Sequence, residues 1–279
     1  MNSTPDANFL EAIRLSELRQ IEDILKNVVA STARILEIGA GTGWQARELA
    51  ARGYAVSAID IPTSNHGKGR IWPIIDFDGR HIPFPDNSFD VVYSSNVLEH
   101  VEDIDTLNIE IIRVLRSDGF AIHYVPTSAW RGWSLAAFYP ALLRDTLRRV
   151  ARRLAPDRSG PIAAPTVPVT PAGSVLPAPQ HRHTSVLRKV VRRIVPHAHG
   201  AVGTSISELV RFSRRSWNDF FTSRGWHIVT YNLNGLFLTG DMMLGYRLSI
   251  ERRKRLSRAL GCTAHLYVLK RQLGPQIRR

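Results

Sequence analysis

Arg34-Ile35-Leu36-Glu37-Ile38-Gly39-Ala40-Gly41-Thr42-Gly43-Trp44-Gln45 is the stretch that decides the fold. Ile35, Leu36 and Ile38 make a short apolar run, long enough for a buried strand and too short for a helix. Three glycines at alternate positions follow, then Ala46-Arg47-Glu48-Leu49-Ala50, helix formers throughout. Strand, glycine turn and helix form the context in which a glycine-rich motif reads as ligand-binding. Glycine lets the backbone turn sharply and approach a ligand with no Cβ in the way. Glu37 stands at the strand's C-terminal end, where open α/β sheets bind ligands. Alone, the GxGxG pattern is weak; the residues downstream give it weight.

Residues 54–60, Tyr-Ala-Val-Ser-Ala-Ile-Asp, read as a second strand ending in an acid. Asp60 lies about twenty residues beyond the glycines, where a carboxylate can accept the hydroxyls of a ribose. Residues 61–70 are turn-rich and basic without helical periodicity. Gly67-Lys68-Gly69 reads there as a solvated loop, because the GxxxxGK[ST] frame of a phosphate loop is missing. Residues 71–77 form a third strand with Pro73 near its start. Upstream, Phe9, Ile13, Leu18, Ile21 and Leu25 recur at helical spacing and predict a helix over 8–28, packed on the sheet.

The chain has 279 residues, 44% of them hydrophobic, enough for one full α/β domain and an appendage. Cys262 is the only cysteine, which excludes a disulfide framework and a thiolate metal cluster. The polar Met1-Asn2-Ser3-Thr4-Pro5-Asp6 lacks a basic-then-apolar leader. No apolar run approaches the roughly 18 residues of a membrane span. The expected location is the cytoplasm, either soluble or peripheral on the inner membrane face. A net charge of +13 with a pI near 10.6 points to an anionic partner, nucleic acid or a membrane surface.

Residues 78–101, Asp-Gly-Arg-His-Ile-Pro-Phe-Pro-Asp-Asn-Ser-Phe-Asp-Val-Val-Tyr-Ser-Ser-Asn-Val-Leu-Glu-His-Val, make the reading specific. They resemble the class I S-adenosylmethionine-dependent methyltransferases, in particular the small-molecule branch that includes the quinone-biosynthesis C-methyltransferases. That branch carries a D-x-x-x-[LI]-P-F-x-[DN]-x-[ST]-F-D-x-[VI] run into its fourth strand, matched here nearly throughout. Residues 112–122 resemble the family's helix, glycine turn and fifth strand. The resemblance is good over about 30–127 and weaker over about 205–270.

The resemblance implies an α/β fold with a Rossmann-like seven-stranded sheet of order 3-2-1-4-5-7-6 and S-adenosylmethionine as cofactor. Gly39, Gly41 and Gly43 would bring backbone against its methionine and ribose parts. Glu37 would brace that loop and meet the amino group, and Asp60 would take the ribose hydroxyls. Asp78, with the backbone of Gly79, would hold the adenine edge, Asp76 being the nearby competitor. Ser95 and Asn96 would face the sulfonium or the substrate. One departure stands out: the family's helix between strands two and three has no counterpart in the short loop here.

After strand five the pattern breaks. A helix is expected near 134–154, followed by a segment with Pro156, Pro161, Pro165, Pro168, Pro171, Pro177 and Pro179, which reads as a flexible or disordered linker. A second basic helix is expected near 184–195. The organisation that results is an α/β half over 1–127, a basic helical and Pro-rich insertion over 128–204, and the rest of the same domain over 205–279. Two more helical stretches and strands near 225–231 and 263–269 complete the sheet.

Between Arg144 and Arg193 eleven Arg or Lys side chains stand against Asp145 and Asp157, a net +9. They alternate with Leu143, Leu147, Val150 and Leu154, then Val186, Leu187, Val190, Val191 and Ile194, as in helices that lie on anionic membranes. A solvated basic face packed on the fold is the plainer alternative. Nucleic acid fits less well, since no aromatic residue lies in this interval for stacking on bases.

Methyl transfer mainly requires positioning, with a base only where the acceptor must lose a proton. His100, His197 and His199 are the candidate catalytic residues. His100 is either a base or packed at a helix start. His197 and His199 could cover the substrate; their H-x-H spacing suits a metal, but no carboxylate or cysteine set in the sequence completes a site. Trp130, Trp133, Phe138 and Tyr139 form either a lid or ordinary helix core. The expected function is methyl transfer to O, N or C of a small or lipid-linked molecule. The alternatives are a nucleic-acid methyltransferase and a non-catalytic binding protein on the same scaffold. Ser95-Asn96-Val97-Leu98 stands where amino-directed nucleic-acid enzymes carry [DNS]-P-P-[YFW].

Overall fold

The computed structural model of the chain describes residues 5–64, 69–154, 198–239 and 247–272. It divides into two compact units, Met1–Ala137 with His197–Arg279, and Phe138–Pro196. The first unit carries a seven-stranded sheet of order β3-β2-β1-β4-β5-β7-β6. In chain order its elements are α1 (Pro5–Val28), β1 (Arg34–Ile38), α2 (Trp44–Ala50), β2 (Ala55–Asp60), β3 (Ile75–Asp76) and β4 (Phe89–Ser95). A 3-10 turn over Leu98–His100 leads to α3 (Ile104–Val114), β5 (Leu115–Pro126) and α4 (Ser128–Leu154), which runs on into the second unit. Then come α5 (Ser207–Arg211), α6 (Arg214–Ser223), β6 (Trp226–Leu233), α7 (Ile250–Leu260) and β7 (Ala264–Arg271).

β1 to β5 pair in parallel and β7 enters antiparallel between β5 and β6. The central strands are apolar on both faces, as a sheet covered by helices requires. Ile35, Val91, Tyr93, Ile122 and Leu266 pack with Leu18, Ile21 and Leu25 of α1 and Leu49 of α2. Leu36, Ile38, Val92 and Ala121 pack on the other face with Leu107 and Ile111 of α3 and Trp217 and Phe221 of α6. The apolar stripe predicted at the N-terminus thus lands on the sheet at Leu18, Ile21 and Leu25.

Several local expectations need correction. The third strand is Ile75–Asp76 alone rather than 71–77, because Pro73 has no N–H for a ladder. The turn expected before strand five is absorbed into β5: Leu115 pairs with Phe89 and Phe120 with Val91, so residues 116–119 are taken up by a register shift. Gly119 is needed there, since a Cβ would lie 2.8 Å from the Asp90 carbonyl oxygen. The helix expected from 134 begins at Ser128. α7 has no counterpart in the pattern read above, although Ser249 caps it by accepting the N–H of Arg252. Among the described residues 61–64 and 69–74 no α-helix joins β2 to β3. Most of the insertion, 155–197 with His197, lies outside the described residues, as do 65–68.

Candidate active site

The strand order turns back between β1 and β4, so their C-terminal ends open a crevice at the switch point. The glycine turn forms one lip. Gly39, Gly41 and Gly43 have φ of 70°, 61° and 78°, left-handed values that side-chain-bearing residues avoid. A Cβ on Gly39 would lie 2.4 Å from Val97 Cγ2, and one on Gly43 2.5 Å from Trp72 Cβ. The turn is pressed between the segment after β4 and the segment before β3, where only glycine fits.

Asp60 fastens the turn from β2. Its Oδ2 accepts the N–H of Gly41 and its Oδ1 that of Ile61, both at 2.8 Å. Each oxygen keeps a second lone pair, so the carboxylate can hold the loop and still accept a hydroxyl donor. Glu37, buried on β1, accepts the N–H of Ala46 in the first turn of α2. Its Oε2 has no hydrogen-bond partner among the described residues. Burial pushes its carboxyl up to about 8, against the opposing Ala46 bond and Arg14 charge.

α1 supplies the other lip with two charged residues that the helix pattern alone did not single out. Arg14 Nη1 donates to Glu17 Oε2 at 3.0 Å and to Ser95 Oγ at 3.1 Å. Glu17 is buried, and its Oε1 accepts from Asn234 Nδ2 at 3.3 Å. The signal was available: an acid stands next to Leu18 and four residues before Ile21, inside the apolar stripe. Beneath them Gln45 Nε2 donates to the Tyr93 hydroxyl at 2.8 Å, and the Tyr124 hydroxyl donates to Gln20 Oε1 at 2.8 Å. Asn96 ends β4 with φ of 54°, a left-handed conformation that Asn tolerates better than most residues.

Asp78 and Gly79 lie on the rim. Asp78 is exposed; its Oδ1 accepts the N–H groups of Arg80 and His81, and its Oδ2 lies 2.7 Å from His81 Nδ1. The His81 side chain, then the two backbone bonds, hold its carboxyl well below the usual range. The competitor Asp76 is paired with Arg70 at 2.6 Å. Gly79 takes φ of 83°.

Past β4 the chain makes a cluster that no sequence interval contains. Glu99, His100 and His199 bring ligand-type atoms within 4.8 Å of one another. Glu99 is buried, with neither carboxylate oxygen hydrogen-bonded among the described residues. Burial pushes its carboxyl up to about 8. His100 is lowered by burial, and His199 is lowered to about 4 by burial and by the charges of His100 and Arg131. The His199 ring packs edge-on to His100 at 4.7 Å and to Trp130 at 4.6 Å. Glu208 Oε1 accepts the N–H groups of His199 and Gly200 at 2.7 Å, while its Oε2 pairs with buried Arg131 at 2.7 Å. His199 of the H-x-H segment therefore meets a carboxylate after all, one supplied by the fold from about 100 residues upstream.

His123 and Tyr124 are structural. His123 is buried against Phe221 and bonded to Ser94 Oγ at 2.8 Å, and burial lowers it to about 3. Of the four aromatics after strand five, Trp130 reaches the histidine cluster, while Trp133 donates to the Leu260 carbonyl at 2.9 Å. Phe138 and Tyr139 belong to the second unit, where they pack on each other.

These residues suit S-adenosylmethionine on two counts. The cofactor is a cation at its sulfonium and amino groups, and Glu37 Oε2 is a buried carboxyl oxygen with no hydrogen-bond partner among the described residues, which a cationic donor would satisfy. Its ribose needs a carboxylate at the end of β2, and Asp60 has acceptor capacity to spare.

A family model described as a methyltransferase domain matches residues 36–123. The demethylmenaquinone methyltransferase of Tropheryma whipplei (strain Twist) is 30% identical over 138 residues, covering 46% of this chain and 56% of that protein. That of Mycobacterium sp. (strain KMS) is 33% identical over 131 residues, covering 44% and 54%. The chain thus spans about half the length of the curated relatives it matches. A chain of the solved complex between the Haloferax volcanii Trm112 methyltransferase activator and the "putative methyltransferase" superposes with a TM-score of 0.52 over 96% of this chain and 95% of that one. At 12% identity that likeness speaks for the fold alone. Residues 36–123 thus form a methyltransferase domain, and the strand order and the Asp60-held glycine turn around it are those that the resemblance to the class I S-adenosylmethionine-dependent methyltransferases implies.

Proposed function

We propose that the chain transfers the S-methyl of S-adenosylmethionine to O, N or C of a small or lipid-linked acceptor, with a quinone-type ring as first candidate. The unpartnered Glu37 Oε2 beside the Asp60-held glycine turn carries the reading. The activity in the names of the two bacterial relatives supports the acceptor class. Glu37 would receive the amino group, Gly39, Gly41 and Gly43 the methionine and ribose backbone contacts, and Asp60 the ribose hydroxyls. Asp78 and Gly79 would meet the adenine edge, and Ser95 and Asn96 the sulfonium or acceptor. The bound cofactor supplies a methyl group already activated by positive sulfur. The protein's share is alignment, an effect worth up to roughly 7–11 kcal/mol. His100 and His199, which burial biases toward the neutral form, would face the acceptor and take up its proton where one must leave. His197 is held in the same role on its sequence position alone.

The test is direct. Purified chain is incubated with S-adenosylmethionine and, separately, with a demethylated quinone extract and a polar metabolite fraction. A mass gain of one methyl group, lost in Asp60→Ala, supports the reading. Cofactor binding without any methylated product would favour the non-catalytic scaffold instead.

A second reading concerns location. No helix among the described residues is long and apolar enough to cross a membrane. On α4, Leu143 and Leu147 are one turn apart and 61% and 59% exposed, and Arg144 and Arg148 follow them. We propose that this stripe and the basic residues up to 193 dock the enzyme on an anionic membrane beside a lipid-linked acceptor, each cation contributing roughly 1 kcal/mol. Flotation with anionic and neutral vesicles separates the cases. Equal recovery with both, or binding that survives deletion of 144–193, rules docking out.

A further inference from the structure

Glu99 poses a chemical problem that the proposed reaction does not solve. It is buried beside the 3-10 turn, and both of its carboxylate oxygens lack a hydrogen-bond partner among the described residues. Buried carboxylates in folded proteins are almost always hydrogen-bonded, ion-paired or bound to a metal. His100 Nε2 lies 3.8 Å from Oε1. That separation is too long for a hydrogen bond and too short to leave both groups indifferent to an ion between them.

The third member arrives through backbone geometry. Ala201 donates its N–H to the Glu99 carbonyl at 2.9 Å. A Cβ on Gly200 would lie 2.6 Å from that same carbonyl oxygen, so only glycine allows the strap to run this close. Glu208, paired with Arg131, grips the N–H groups of His199 and Gly200. The His199 ring is then set between His100 and Trp130. The backbone bonds from Ala201 to Glu99 and from His199 and Gly200 to Glu208 thus bring the three side chains together without help from an ion.

We propose that Glu99, His100 and His199 form a site for one divalent transition-metal ion, with zinc as the type. Two imidazoles and one carboxylate are the ligand set of open tetrahedral zinc sites, in which a fourth position stays free for water or substrate. Ligand atoms within 4.8 Å of one another can close on a single ion by side-chain rotation; tetrahedral bonds of about 2.0–2.1 Å need them somewhat nearer. Two nitrogen ligands disfavour magnesium and calcium, which take oxygen. The strap reaches the 3-10 turn that follows β4, on the carboxyl side of the sheet. There an ion would take over from His100 the task of making an acceptor oxygen more acidic.

The test reads metal binding alone, so its outcome is independent of the methyl-transfer reading. Full-length, tag-free protein stripped with chelator is titrated calorimetrically with zinc, and with cobalt while the visible spectrum is followed. One ion per chain is expected, with a four-coordinate cobalt spectrum and no saturable magnesium binding. His199→Ala and His100→Ala, both of half-exposed rings, should each weaken zinc at least about tenfold with far-UV circular dichroism unchanged. Glu99→Gln should weaken zinc while leaving S-adenosylhomocysteine affinity within about twofold. Absence of zinc and cobalt binding, or binding unchanged in both histidine variants, overturns the proposal. Loss of cofactor affinity in Glu99→Gln without loss of zinc also overturns it, because Glu99 would then serve the cofactor's positive charge.

Discussion

Asp60 Oδ2 accepts the N–H of Gly41 at 2.8 Å, so the acid that ends β2 holds the loop that follows β1. Its other oxygen is engaged as well, by Ile61 at 2.8 Å. Asp60→Asn keeps one acceptor and turns an amide donor toward the other N–H. A buried donor left unpaired costs about 1–3 kcal/mol. Urea denaturation should show a lower midpoint for this variant. An unchanged midpoint would mean that the loop is held by something else.

Gly39 is strained by any side chain in two separable ways. Its φ of 70° costs a residue with a Cβ about 1–2 kcal/mol, and that Cβ would collide with Val97 at 2.4 Å. Gly39→Ala should therefore lower the melting temperature and weaken cofactor binding. Adding Val97→Ala should return the part due to collision and leave the part due to φ. A double variant no better than Gly39→Ala contradicts the packing argument.

The pH dependence of stability follows from Glu37. Its folded-state carboxyl is raised to about 8 by burial, above an unfolded value near 4.3. The stability that belongs to the protonated form is fully present below that unfolded value and is lost as pH rises through the folded one. Over this window one such group removes at most about 1.4 kcal/mol per pH unit. Glu37→Gln should flatten the decline measured by urea unfolding between about pH 5 and about pH 8. S-adenosylmethionine, a cation, should offset the decline in the native protein and have little effect in the variant. Parallel pH profiles with and without the substitution would locate the raised group elsewhere.

Much of this architecture was legible because it is written locally. The apolar run at 35–38, the glycines and the acid at 60 each lie within one element, and the pairing of β7 beside β6 followed from the family order. The failures have the opposite origin. Ile75–Asp76 is short because Pro73 denies the strand a donor, a local signal that was read as tolerable. Arg14 and Glu17 enter the crevice through a tertiary contact with Ser95, which helical periodicity does not encode. Glu99 meets His199 only because the chain returns after the insertion and Ala201 pairs with Glu99. H-x-H spacing could not reveal that carboxylate, since the partner is chosen by the fold.

The central claim is that the glycine turn and Asp60 hold S-adenosylmethionine. Isothermal calorimetry of the full chain with S-adenosylhomocysteine tests it most directly, because binding does not depend on knowing the acceptor. The account predicts one site per chain and a loss of more than about 1 kcal/mol in Asp60→Ala, where a charged acceptor for the ribose hydroxyls is removed. Absence of binding to the native protein, or the same affinity in Asp60→Ala, would contradict it.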